Sequence, residues 1–83
     1  MKREPASFGE QTLELLYIAK KLRDALRLEN VLTVAAIDYA VETDEYVGGV
    51  LFRTARIGAF FYVSADAVEQ ARALMREHGF RPA

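Results

Sequence analysis

From Ile37 to Asp44 the chain alternates: Ile37, Tyr39, Val41 and Thr43 fall on one side of an extended backbone, and Asp38, Ala40, Glu42 and Asp44 on the other. A period of two predicts a half-buried strand with one wet face. Gly48-Gly49 punctuates it, and Val50-Leu51-Phe52 restarts an apolar run that reads as a short strand. After Gly58 comes Ala59-Phe60-Phe61-Tyr62-Val63, the densest β-forming segment in the chain. The period then changes. Val68, Ala71, Leu74 and Met75 recur at helical spacing among charges. Ser64 and Asp66 are candidate N-caps, and Asp66 with Glu69 spells a capping box. Gly79 stands where a left-handed C-terminal cap belongs, Phe80 can fold back on the last turn, and Pro82 blocks continuation.

The N-terminal half is less decided. Residues 1–11 carry Pro5, Gly9 and scattered charges without a period, and read as a flexible arm before a single domain over 12–83. Residues 12–19 fit two periods. As a strand they place Leu13, Leu15 and Tyr17 on one face and Leu16 and Ile18 on the other; as a helix they join a stripe of Leu15, Ile18, Ala19, Leu22, Ala25 and Leu26. From Lys20 to Ala36 the reading is helix, uninterrupted by proline or glycine. With a first strand at 12–19, this order gives an α+β fold: a two-layer, ferredoxin-like βαββα sandwich, its small, mainly antiparallel sheet covered on one face by two helices.

Such a sheet has a second face, which in a monomer should be polar. Here it is not. If Ala59, Phe61 and Val63 point one way, Phe60 and Tyr62 point the other, and Leu16 and Ile18 repeat the problem on the first strand. Burying such side chains stabilises by roughly 1.5–3 kcal/mol each, and a contiguous patch of them is unusual on a monomer. Leu16, Ile18, Phe60 and Tyr62 are therefore the expected interface of a homodimer or larger closed assembly that packs this second face or extends the sheet edge, the alternative being that the arm or a loop folds over the patch.

Composition narrows the chemistry. At 83 residues the chain is one domain with a modest core, and 52% hydrophobic with 28% charged residues is globular rather than disordered. The absence of cysteine excludes disulfides, thiolate metal sites and thiol catalysis. Eleven basic against twelve acidic residues give no basic face for nucleic acid, and aromatic packing accounts for Phe60, Phe61 and Tyr62 without an RNA-binding motif. No run approaches the ~18 apolar residues of a membrane span, and no apolar signal core follows Met1-Lys2-Arg3. The expected address is cytoplasmic.

Arg53 and Arg56, flanking Thr54 near glycine turns, form a candidate site for a small anionic ligand, with Tyr39 beside them. Against that, the chain lacks the glycine-rich loop entering a helix that phosphate motifs use, and two solvated arginines paired with Asp44 or Glu45 explain the pattern as well. Glu42, Asp44 and Glu45 match no cation-binding loop and read as a solvated strand end. His78, the single histidine, sits near a helix C-terminus where the dipole favours it. No nucleophile–base pair and no ligand cluster is spelled out, so neither a catalytic residue, a metal nor a cofactor is expected.

The stretch from Tyr17 to Phe80 resembles a family of small bacterial domains assigned to signal transduction. The matching features are Tyr17-Ile18-Ala19 ending a strand, Asp24-Ala25 opening a helix, and Ala36-Ile37-Asp38-Tyr39-Ala40-Val41 where the family has Gly-Ile entering its second strand. They continue with Gly58-Ala59-Phe60-Phe61-Tyr62-Val63 before an acidic cap, and with Glu69-Gln70-Ala71 through His78-Gly79-Phe80. The resemblance implies a ferredoxin-like unit, distantly akin to the nitrogen-regulatory signalling trimers, with no catalytic residues. Its helix length, similar to the interval from Ala25 to Ala36, tips residues 12–19 towards strand. Two departures stand out: Ala36 replaces the glycine, so the turn need not be left-handed, and Gly48 to Ile57 has no firm counterpart. A non-enzymatic regulatory or scaffolding module that self-associates through its sheet is the expected function, with an anionic-ligand domain near Arg53 and Arg56 as the alternative.

Overall fold

The segment densest in aromatic and β-branched residues becomes the centre of the sheet. The structure, a computed structural model, describes the backbone of residues 1–48 and 54–80 and the side chains of 1–45 and 56–80. In chain order the regular elements are β1 (Leu13–Ala19), α1 (Leu22–Val34), β2 (Ala40–Gly48), β3 (Thr54–Ser64) and α2 (Val68–Glu77). The strands form an antiparallel sheet in the order β1-β3-β2, so β3 is flanked on both sides. This is the two-layer ferredoxin-like βαββα arrangement, and residues 12–19 are strand. The short strand expected at Val50-Leu51-Phe52 lies outside the described residues.

The helices cover one face. Phe61 and Val63 of β3 and Leu16 of β1 meet Leu28 and Leu32 of α1 and Ala71 and Met75 of α2, all fully or almost fully buried. The largest of these each contribute about 1.5–3 kcal/mol by leaving water. Among the described residues the core holds no buried polar or charged side chain.

Both helices end in the same way. Gly79 (φ 81°) takes the left-handed conformation, its N–H bonds to the Arg76 carbonyl at 3.2 Å, and the Phe80 N–H reaches the Met75 carbonyl at 2.8 Å. That is the Schellman closure expected at this glycine, with Phe80 folded back and buried. At the end of α1 the same closure is built on Ala36: its N–H bonds to Thr33 at 3.0 Å and that of Ile37 to Leu32 at 2.9 Å. Ala36 is left-handed too, at φ 59°. The missing glycine therefore does not release the turn from that conformation. Closing the helix and seating the buried Ile37 outweigh the steric cost of a Cβ there.

The start of α2 departs from expectation. Neither Ser64 nor Asp66 makes a side-chain cap bond, and the Asp66–Glu69 capping box is not formed. A 3₁₀ turn over Ala65–Ala67 carries β3 into the helix instead, displacing its start to Val68 and leaving Asp66 inside the turn. The Ala65 N–H finds its partner in the Thr12 carbonyl at 2.9 Å. Helix α1 likewise starts two residues later than Lys20 and has no side-chain cap at Lys21.

Residues 1–11, expected as a flexible arm, dock on the body. A 3₁₀ turn over Pro5–Phe8 buries Phe8, and Lys2 bridges Tyr39 in parallel. The Arg3 N–H bonds to the Tyr39 carbonyl at 2.7 Å, and the Tyr39 N–H to the Met1 carbonyl at 3.0 Å. The arm so occupies the edge leading into β2, and the Arg3 guanidinium meets Asp38 at 3.3 Å.

Candidate functional site

The face of the sheet turned away from the helices is the candidate site, and an irregularity in β1 decides which residues it presents. Pairing with β3 sets Leu13 against Ser64, Glu14 against Val63 and Leu15 against Tyr62; it then resumes with Tyr17 against Phe61, Ile18 against Phe60 and Ala19 against Ala59. Leu16 is the extra residue of a β-bulge. Directly paired residues share a face, so Leu15 and Ile18 lie with Tyr62 and Phe60 on the uncovered side. Leu16 and Tyr17 both turn towards the helices.

This corrects the strict alternation assumed for residues 12–19. Leu16, expected at an interface, is 2% exposed and belongs to the protein's own core. Leu15 takes its place on the outer face, 39% exposed. Ile18, Phe60 and Tyr62 lie where the alternation placed them, half-buried and outside the core cluster. Sequence gave little warning of the inversion, because leucines stand at both 15 and 16 and either satisfies the pattern.

Across the sheet the outer face runs in rows. Leu15, Tyr62 and Ala40 form one, and Ile18, Phe60 and Glu42 the next. Further along, Asp44 pairs with Gly58, and Arg56 follows on the same face of β3. The β1 side of this surface is therefore apolar and its β2 side acidic. Glu42, Asp44 and Glu45 are all exposed.

Tyr39 does not join Arg56 in the candidate anion site. Arg53 lies outside the described residues, Arg56 is exposed opposite Tyr46, and Tyr39 precedes β2 at its other end. Seven positions of extended chain separate Tyr39 from Tyr46, on the order of 23 Å. Tyr39 is also turned inward, 3% exposed, its ring stacked on Phe61 at 5.8 Å and its hydroxyl donating to Glu29 at 3.3 Å. Burial raises its pKa above the ordinary 10.0; the nearby Glu29 carboxylate raises it further, and a hydrogen bond with Thr33 opposes. It is a structural tyrosine. The proposed pairing of Arg56 with Asp44 or Glu45 does not form among the described residues.

Among the cavities of the described residues, two lie away from the outer face of the sheet. A polar cleft of about 480 Å³ opens between the docked arm, the turn after α1 and the entry to α2, bordered by Arg3, Ser7, Asp38, Ser64 and Gln70. An apolar groove of about 400 Å³ separates the ends of the helices, lined by Val31, Val34, Leu74 and His78. Neither is bordered by Arg56 or Tyr39. Among the described residues no three acidic or histidine side chains gather as metal ligands, and no helix is long and apolar enough to cross a membrane. Compared with protein-family models, with curated proteins and with solved structures, the chain matches none.

Proposed function

We propose that this protein is a non-enzymatic regulatory or scaffolding module, cytoplasmic, that works as a homodimer formed through its sheet. The observation that carries the reading is the uncovered face, where Leu15, Ile18, Phe60 and Tyr62 form one apolar cluster with no helix above it. A regulatory role rests on the resemblance to the bacterial signal-transducing domains and on the lack of any assembled catalytic constellation among the described residues.

Ile18→Glu is the direct test. The side chain is only half-buried within the chain, so the variant keeps its fold by circular dichroism. Two copies of the substitution meet in one symmetric interface, each removing about 1.5 kcal/mol or more of burial. Association is then weakened on the order of 100-fold or more in Kd. Unchanged association of a folded Ile18→Glu protein contradicts the reading.

A further inference from the structure

The sheet has two edges, and they are treated differently. The β2 edge is guarded: the arm pairs with its approach at Tyr39, and Glu42, Asp44 and Glu45 stand exposed along the strand, so a second acidic edge is repelled. The β1 edge has none of this. Among the described residues no strand pairs with it beyond β3, and its seven residues, LELLYIA, include one charge. A bare apolar edge of this length is a template for another strand.

The bulge determines which strand fits. Along Glu14 to Ala19 the side chains point in, out, in, in, out, in, where "in" is the helix-covered face. An ordinary strand alternates strictly and mismatches this order on one side of Leu16. The sequence of faces is, however, palindromic about the bond between Leu16 and Tyr17. A second β1, antiparallel, matches it at every position when Leu15 faces Ile18, Leu16 faces Tyr17 and Glu14 faces Ala19. A shift by one or two residues sets an inward side chain against an outward one.

We infer that the partner at the β1 edge is β1 of a second copy, paired antiparallel about a two-fold axis between Leu16 and Tyr17, so that two sheets join into one continuous sheet. This rests on the proposed self-association and names its geometry. Pairing also brings Leu15 and Ile18 of each copy against one another at the seam, while Phe60 and Tyr62, one strand further in, stay on the outer face of the joined sheet.

The absence of native cysteine makes the register measurable. Leu15→Cys/Ile18→Cys places one thiol of each copy opposite the other kind, at the about 4.5–5.5 Å Cα separation of facing residues, within disulfide reach. Inside one chain the same two positions lie roughly 10 Å apart and cannot bridge. Mild oxidation is expected to convert most of the double variant to covalent dimer on a non-reducing gel, while Leu15→Cys and Ile18→Cys alone stay monomeric. Cross-linking of either single variant overturns the register. A non-covalent dimer by light scattering with no cross-link in the double variant overturns edge pairing but leaves self-association standing; a single-chain mass overturns both. Should the variants misfold, hydrogen exchange on the unaltered protein decides: β1 amides gain protection with concentration, and concentration-independent exchange there overturns the pairing.

Discussion

Ala36 shows how a single residue can hold a conformation its side chain disfavours. Its left-handed backbone closes α1 and delivers Ile37 to the core, and the cost is set by one Cβ. Ala36→Gly relieves that strain but gives the unfolded chain more freedom. The net expectation is a gain of about 0.5–1 kcal/mol, read from urea unfolding. Tyr39 makes the corresponding point for charge. Because burial raises its folded pKa above 10.0, the unfolded chain loses the phenolic proton first as pH rises. Its contribution is complete below about pH 10 and is lost as pH climbs through the folded pKa. Tyr39→Phe is expected to lose about 1 kcal/mol near neutrality with the hydrogen bond to Glu29, and to show a flatter alkaline decline. Equal alkaline slopes in the two proteins would refute this assignment.

At the scale of elements, the end of α2 is fastened to α1 by one side chain. The Arg27 guanidinium lies 4.1 Å from the centre of the Phe80 ring and donates to the His78 carbonyl at 2.5 Å, while Tyr17 meets the edge of the same ring at 5.6 Å. His78 thus contributes its backbone rather than its imidazole. Arg27→Ala is expected to cost about 1 kcal/mol of stability, with the loss of protection against hydrogen exchange confined to the last turn of α2 and Phe80. The C-terminal signals of this helix were legible because Gly79 and Phe80 act locally, through backbone conformation and a neighbouring turn. Its N-terminal signals misled because β3 runs straight into a 3₁₀ turn, and tertiary pairing of Ala65 with Thr12 overrides the preference of Asp66 for a cap. Strand β1 was undecidable from its own residues, since leucine-rich runs satisfy both periods; pairing with β3 settles it, and its bulge has no local marker.

For the whole molecule, the two-sided apolar character of β3 was readable from periodicity, because it depends on which positions are apolar and not on their contacts; the layer order also needed a first strand at 12–19, which periodicity left open and the resemblance tipped. Three of the four residues assigned to that face lie on it; Leu16 does not, and Leu15 replaces it. Tyr39 falls outside the candidate anion site for a geometric reason invisible to spacing: it precedes β2 at the end far from Arg56, which pairs with Tyr46. The arm was unreadable because its docking uses backbone hydrogen bonds, which any sequence without proline at those positions can make. The proposed dimer has two copies meeting at the sheet. Light scattering of the unaltered protein over a wide concentration range measures this most directly. The expected mass approaches twice the 9.3 kDa of one chain at high concentration and falls towards 9.3 kDa on dilution. A mass of 9.3 kDa at every concentration would contradict it.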